Sequence, residues 1–321
     1  MRNFIIRFQF IVFSILTLFI SISCWMIAKE QSGTVKIIFN QLGYFGPALV
    51  AIILTLVSST NSKGIKLKSY LPFIAVFAFI MIFAILYGGT YYEMRINEFL
   101  LKNPLVIVLT LITVGYFIYQ FVINKGNSAI DKLVNIPKTN IIWYVLAVAI
   151  YPLLKLIGVL LSIKLFPTQF ELPVINLIAI IPLFLFSIIF YAAIGEEIGW
   201  RGYALKKLQI KHNPFVASLF IAIVWSIWHI GYFVLVENYA VQQLSGVVIF
   251  TILGAFFTTW LFNKTKGNVL ILILFHASIN FAILFVPHPI ILTSLHLILL
   301  IVVLITGRFF KKIKNDYVKS E

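Results

Sequence analysis

The sequence is poor in charge and in cysteine. Charged residues make up 11% of its 321 residues, whereas an average soluble domain has about 25%. Its one cysteine, Cys24, excludes a disulfide framework within the chain, a CxxC zinc site and a cysteine-held iron–sulfur cluster. P-loop, GxGxxG and HExxH sequences are also absent. The chain therefore lacks the fingerprints of a nucleotide-binding protein and of the most familiar zinc peptidases.

Apolar residues, in contrast, are in large excess. They make up 61% of the chain and the mean hydropathy is +1.04, whereas an average protein has about 45–50% apolar residues. This composition excludes intrinsic disorder, which requires low hydrophobicity. Because a soluble fold has no means of hiding so much apolar surface, the sequence predicts a protein that crosses a membrane several times.

The apolar residues are concentrated in ten segments, each close to the length of a membrane-spanning helix. About 20 apolar residues are needed to cross the hydrocarbon core, and transmembrane strands would instead alternate in polarity over about ten residues. We therefore predict an all-α, polytopic transmembrane bundle of about ten helices. The segments are 8–28, 38–58, 70–88, 104–123, 141–163, 173–194, 214–235, 244–262, 268–286 and 289–307.

The basic residues predict the orientation of this bundle, because cytoplasmic loops carry an excess of Lys and Arg. If both termini are cytoplasmic and ten helices alternate, 19 of the 25 basic residues fall on the cytoplasmic side, Arg201 and Lys206 among them. Five fall outside and Lys155 lies within a span. The net charge of +15 then faces anionic lipid of the inner leaflet. We expect a multi-pass protein of the cell membrane, with the lipid bilayer as a partner and neither a nucleic acid nor a nucleotide.

The chain divides into two regions by the polarity of its spans. Residues 1–140, with helices 1–4, have few polar residues within their spans and are interpreted as a transmembrane scaffold. In the second region, 141–321, ionisable residues lie within or beside the spans of a core at about 173–286. Because ionisable groups in a membrane are costly and usually functional, we expect the functional site in this core. The sequence also predicts a loop at 195–213.

Two adjacent acids, Glu196 and Glu197, follow the sixth apolar segment in the sequence GEEIGWR. No turn signal separates them from that segment, so we expect the helix to continue through them. Glu197 and Arg201 are four residues apart and share a helical face, which favours an ion pair. Glu196 points to another side and is the candidate general base. The alternative is a solvated cluster at the membrane edge, in which Glu197 and Arg201 pair at the cytoplasmic surface.

Three polar residues of later spans complete the candidate site. His229 lies in the seventh segment, and His276 and Asn280 lie on one face of the ninth. A divalent metal such as zinc, held by Glu196, His229 and His276, is one chemistry that fits. The other is free of metal: Glu196 and a histidine activate water, and His276 and Asn280 donate to an oxyanion. The alternative for each histidine alone is a structural hydrogen bond between helices.

The predicted helix boundaries place these residues at different depths. Glu196 lies near the cytoplasmic end of helix six, whereas His276 lies about mid-helix and His229 lies beyond the middle of helix seven. A shared site therefore requires a tilt, a shift of one or two helical turns, or a water-filled cavity.

Three motifs follow one another on successive apolar helices. They are Glu196-Glu197-x-x-x-Arg201, an aromatic residue four before a histidine (Trp225 to His229), and His276-x-x-x-Asn280. Together they resemble the CPBP family, the CAAX-protease and bacteriocin-processing proteins that are also called Abi proteins. The flank 199–203, GWRGY, is similar too, and the resemblance covers about 173–286. One departure is Trp225, where that family more often has Phe.

The resemblance implies an intramembrane endopeptidase that hydrolyses a peptide bond of a membrane-associated or lipidated peptide or protein. Glu196 would activate water together with His229, and His276 with Asn280 would polarise the scissile carbonyl. Whether a metal takes part, and thus whether the enzyme is of the glutamate or the metallo type, stays open. By the same resemblance, the residues that hold the motif helix are Glu197, which also belongs to the catalytic set, and Arg201, with Trp225 as packing support.

Two other classes of function stay open on the sequence. One is a non-catalytic membrane protein that confers bacteriocin immunity or binds a peptide, in which the motif residues hold helices together. The other is a proton-coupled transporter with Glu196 and the histidines as a proton relay. Ten helices suit a transporter, but the sequence contains no inverted repeat.

Overall fold

The computed structural model describes residues 8–58, 70–91, 96–123, 129–170, 177–190 and 193–313. Over these ranges the chain forms helices and no strand, so the predicted all-α class is confirmed. Several of the basic residues used to predict the orientation lie outside the described residues, and the orientation stays a prediction. The division into a scaffold at 1–140 and a second region at 141–321 is also a prediction.

The helices are numbered here in chain order. They are α1 Gln9–Lys29, α2 Gly33–Ser58, α3 Leu71–Tyr87, α4 Ile96–Lys102, α5 Pro104–Ile118, α6 Ala129–Leu133, α7 Ile141–Leu165, α8 Leu177–Phe190, α9 Ala193–Glu197, α10 Lys206–Lys211, α11 Pro214–Leu235, α12 Val241–Lys264, α13 Val269–Phe281 and α14 Pro289–Thr306. A π-helical segment, Ile198–Leu205, joins α9 to α10, and a second one, Tyr119–Ile123, extends α5. The continuous helix 193–211 is called the motif helix below.

Seven helices of the described ranges are long and apolar enough to cross a membrane, namely α1, α2, α5 with its π turn, α7, α11, α12 and α14. The motif helix and the preceding α8 form an eighth candidate, bent by 45°. Two more apolar helices, α3 and α13, are shorter than a full span. Each of the ten predicted segments thus overlaps a helix, and the polytopic helical bundle is confirmed.

The largest departure from the predicted boundaries concerns the sixth segment. The loop predicted at 195–213 is wrong, because residues 193–211 are helical. That prediction followed the polarity of the segment, but four of its charged side chains turn inward to partners in the bundle, namely Glu196, Glu197, Arg201 and Lys206. The π-helical part widens the turn directly after the two acids, a feature that is frequent at functional sites. All eight of its residues are buried.

Glycines allow the motif helix to lie directly against α2. A Cβ built on Gly199 would lie 2.4 Å from Cβ of Pro47, and one built on Gly195 would lie 3.0 Å from Cγ of Phe45. Small residues permit such close approach between membrane helices. On its other sides the motif helix contacts α11, α12 and α13. The site-bearing segment therefore lies inside the bundle, with protein rather than lipid around it.

We expect Gly199→Ala to lower the free energy of unfolding by about 1–3 kcal/mol, the usual range for overpacking a tight contact. The measurement is the thermal unfolding midpoint of the purified protein in nanodiscs. Gly246→Ala on α12 is the matched control, because no atom lies within 4 Å of its built Cβ. Equal midpoints for the two variants would contradict the close packing of the motif helix on α2.

Candidate active site

The two acids of the motif helix lie in the interior of the bundle. Glu196 is 3% exposed, and Glu197 and Arg201 are 0% exposed. The alternative of a solvated cluster at the membrane edge is therefore wrong. The count of Arg201 among the charges of a cytoplasmic loop is wrong for the same reason. Ionised groups buried to this degree are tolerated only when partners satisfy them.

Glu197 is the centre of a hydrogen-bonded cluster. Its Oε1 accepts from Nη1 of Arg201 at 3.0 Å and lies 2.8 Å from Nδ1 of His276. The guanidinium also donates through Nη2 to Oγ1 of Thr258 at 2.6 Å. The ion pair predicted from the i, i+4 spacing is therefore present. Because an ionised carboxylate only accepts hydrogen bonds, Nδ1 of His276 is the donor in this contact.

Glu196 is held differently from its neighbour. Its Oε2 accepts the indole N–H of Trp225 at 2.7 Å. Its Oε1 lies 3.8 Å from Nε2 of His276, which is too long for a direct hydrogen bond. Within the described part of the chain, Oε1 has no other polar partner. One oxygen of Glu196 is thus fixed by protein, and the other faces an imidazole nitrogen of His276.

His229 is connected to Glu196 through Trp225. Its Nδ1 lies 3.0 Å from the backbone oxygen of Trp225, and the two rings are 5.0 Å apart. Since a carbonyl oxygen only accepts, Nδ1 carries the hydrogen and a neutral ring has its lone pair on Nε2. His229 is half-buried. The predicted pairing of His229 with Glu196 is therefore indirect in the structure, since the described residues include no hydrogen bond from His229 to either glutamate.

Asn280 lies on α13 one helical turn beyond His276, as the spacing predicted. It is half-buried, whereas His276 is buried. The two side chains share one face of this helix, and that face is turned to the motif helix, because His276 contacts both of its glutamates. The structure thus brings Glu196, Glu197 and His276 into one cluster, with the half-buried His229 one turn from Trp225. The place of Asn280 beside this cluster is a prediction from its spacing to His276.

The helical course of residues 193–211 removes the difference in depth that the predicted boundaries implied. Glu196 is not at the end of a span, because the helix continues through Ile198–Leu205 to Lys211. The acids therefore lie well inside the bundle, level with Trp225 and His276. The predicted end of this segment at residue 194 is therefore wrong, and the helical residues run on to Lys211, further than the one or two turns expected from the sequence.

The donor set was tested for a metal site. In the residues that the structure describes, no group of three or more His, Cys, Asp or Glu side chains could hold a metal ion. Glu196, His229 and His276 therefore do not meet as a three-ligand metal site in this structure. Nδ1 of His276 and Oε2 of Glu196 are bonded to Glu197 and Trp225, contacts that also occur behind metal ligands, so the choice between a glutamate-type and a metallo-type enzyme stays open.

Two contacts that support the site could not be predicted from the sequence. The bond of Thr258 to Arg201 has no sequence signal, because a threonine in a membrane helix usually bonds to its own backbone. Thr258 also makes that bond, to Gly254 at 2.7 Å. Lys206, expected in a cytoplasmic loop, is instead buried and donates to the backbone oxygen of Lys132 at 2.8 Å. This bond ties the motif helix to α6.

Comparison with known proteins gives a family match over part of the chain. The family model described as "Type II CAAX prenyl endopeptidase Rce1-like" matches residues 178–282. This segment is therefore similar to the CAAX proteases. It includes all three motifs, so the resemblance seen in the sequence is confirmed for this segment.

A curated relative also bears the name of a CAAX protease. "CAAX prenyl protease 2" of Methanococcus maripaludis is 34% identical over 97 residues, which are 28% of this chain and 35% of that protein. The match thus spans about a third of the length of the relative. The remainder of this chain, including α1 to α7, lies outside the residues of the family match.

We expect Thr258→Val to lower the free energy of unfolding by about 1–3 kcal/mol, because it leaves a buried guanidinium N–H without its acceptor. The measurement is the thermal midpoint in nanodiscs. Thr259→Val is the matched control: Thr259 is equally buried, and its hydroxyl bonds only to its own helix, at Ala255. A Thr258 variant as stable as the Thr259 variant would contradict a role in holding Arg201.

Proposed function

We propose that the protein is an intramembrane endopeptidase in which Glu196 activates the water that hydrolyses a peptide bond. The observation that carries this proposal is the different binding of two adjacent buried carboxylates. Both contacts of Glu197, to Arg201 and to His276, are made by its Oε1, and its Oε2 is fully buried with no partner among the described residues. Glu196 keeps one oxygen directed at His276 across 3.8 Å. A general base needs such an oxygen, within reach of a water and not already bonded.

The hydrolysis proceeds in two steps at this site. Glu196 takes a proton from water, and the water oxygen forms a bond to the scissile carbonyl carbon, which gives a tetrahedral oxyanion. The C–N bond then breaks, and the proton passes from Glu196 to the leaving amine. His229 lies one turn from Trp225 with its Nε2 available, and its proposed part is to hold the attacking water together with Glu196.

The oxyanion requires donors that are in place before the reaction. His276 and Asn280, one turn apart on α13, are the proposed donors. Because Nδ1 of His276 already donates to Glu197, Nε2 is a donor only in the ring that is protonated on both nitrogens. Glu197 fixes the ring of His276 through Nδ1, so that Nε2 is the nitrogen turned to the reacting groups. In a site surrounded by apolar helices, such hydrogen bonds are stronger than they would be in water. Glu197 therefore acts as a positioning residue, with Arg201 balancing its charge.

The proposed substrate class rests on the apolar outer surface of the bundle and on the printed name of the curated relative. The site lies within a bundle whose outer surface is apolar, so a substrate that resides in or on the bilayer can reach it without leaving the membrane. The printed name of the relative, "CAAX prenyl protease 2", makes a peptide with a prenylated C-terminal motif the first candidate. We place the protein in the cell membrane with both termini cytoplasmic, as the basic residues predict.

We expect Glu196→Gln to reduce cleavage at least about 100-fold, because the amide cannot accept the proton of the water. The assay follows release of the C-terminal tripeptide from a farnesylated CAAX peptide by the protein in proteoliposomes. The peptides released by cells that carry wild type or the variant at equal membrane abundance are compared in parallel.

Glu30→Gln is the control, since Glu30 is exposed at the end of α1 and its variant should retain wild-type activity. Full cleavage by the Glu196 variant, correctly folded, would refute the proposed role of Glu196. If neither assay detects cleavage by the wild type above that of membranes without the protein, the peptidase proposal itself is refuted.

A further inference from the structure

Trp225 contacts three polar residues of the candidate site. Its indole N–H donates to Oε2 of Glu196 at 2.7 Å. The guanidinium carbon of Arg201 lies 4.2 Å from the centre of its ring. Its backbone oxygen is the acceptor that orients His229. One residue of α11 thus contacts two charged residues of the motif helix, Glu196 and Arg201, and the histidine one turn further along α11.

The position of the indole is itself constrained. A Cβ built on Gly254 of α12 would lie 3.3 Å from the ring, so α12 leaves space for the indole and little more. The guanidinium covers the ring, and a cation in this position is attracted to the π-system. Trp225 is 5% exposed. The indole is therefore enclosed by α12 and Arg201, and its N–H is directed at a single acceptor.

The bond to Glu196 determines which oxygen of that carboxylate can react. The N–H occupies Oε2 and leaves Oε1 directed at Nε2 of His276. Tryptophan is a large apolar side chain whose one polar group, the indole N–H, is a donor only. Phenylalanine would fill much of the same space and leave both oxygens of Glu196 without this restraint.

We propose that Trp225 is a positioning residue for the proposed base Glu196: its indole N–H holds Oε2, so that Oε1 is presented to the water beside His276. This inference rests on the proposed function for its consequence in catalysis. The hydrogen bond itself does not, and it is tested separately below. Trp225→Phe is the informative variant, because it removes the donor and keeps an aromatic ring.

Trp228 provides a matched control on the same helix. It is 1% exposed, and its ring lies 5.0 Å from that of His229, as does the ring of Trp225. Its indole N–H is buried without a hydrogen-bond partner in the described part of the chain. Trp228→Phe therefore makes the same change of shape beside the same histidine and removes no hydrogen bond to a carboxylate.

The first experiment tests the hydrogen bond without reference to activity. Protein labelled with ¹⁵N-tryptophan in nanodiscs gives indole N–H signals from six tryptophans, and Trp225→Phe and Trp228→Phe assign two of them. We expect the Trp225 signal downfield of the Trp228 signal, and we expect Glu196→Gln to move it upfield while the Trp228 signal stays in place. An unmoved Trp225 signal in the Glu196 variant would overturn the proposal.

The second experiment measures the consequence. On the farnesylated peptide, we expect Trp225→Phe to lower kcat about 10- to 100-fold, the size expected for losing a hydrogen bond to a charged group. KM should stay close to wild type, because the base rather than the bound substrate is displaced. Trp228→Phe should retain most of kcat. Because Trp225→Phe also removes a buried hydrogen bond and should unfold at a lower temperature, kcat is compared well below the thermal midpoints of both variants.

The possible failures are distinguishable. If Glu196→Gln abolishes cleavage but the two tryptophan variants have the same kcat, Trp225 does not position the base and the proposed function stands. If wild type shows no cleavage that depends on Glu196, the proposed function fails, and the consequence proposed for Trp225 fails with it. The spectrum then still decides whether the Trp225–Glu196 bond exists.

Discussion

The ion pair between Glu197 and Arg201 is the interaction on which the rest of the site depends. Both groups are fully buried, and a buried charge is tolerated only if its partners satisfy it. The partners come from two further helices, Thr258 of α12 and His276 of α13. Removing any one of them leaves a charge or a donor unpaired in an apolar surrounding. The pair therefore sets the rotation of α12 and α13 about the motif helix, and with it the place of His276 and Asn280.

The buried ion pair also explains why the part of the motif helix that carries it is surrounded by protein. A charged helix facing lipid would leave its polar groups unsatisfied in the hydrocarbon. The glycines at 195 and 199 bring the backbone of α2 against the motif helix, and α2 thereby supplies the wall opposite α12 and α13. Through this contact α2 closes the side from which lipid would otherwise reach the acids. The scaffold role of residues 1–140 as a whole stays a prediction.

The sequence predicted those parts of the site that depend on one helix alone. The spacing of Glu197 and Arg201 predicted their ion pair, and the spacing of His276 and Asn280 predicted a shared face. Contacts between helices could not be predicted from the sequence, because hydropathy does not determine the rotation of each helix about its axis. Hence the bond of Trp225 to Glu196 and that of Thr258 to Arg201 came only from the structure. The loop predicted at 195–213 failed for a related reason: polarity suggested water, whereas the polar groups have buried partners.

The adjacent residues Glu196 and Glu197 thus have different proposed roles because their surroundings differ. Two carboxylates and one guanidinium carry one negative charge that the pair with Arg201 does not cancel. Glu197 is adjacent to the cation, so the uncancelled charge belongs to Glu196, whose nearest protein donor is a neutral indole. A proton that cancels this charge can reside on Glu196 or on His276, whose facing atoms are 3.8 Å apart. Hydrolysis requires a base that accepts a proton from water and later returns it to the leaving amine. The arrangement supports that cycle because Arg201 stabilises Glu197 and leaves the protonation of Glu196 free to change.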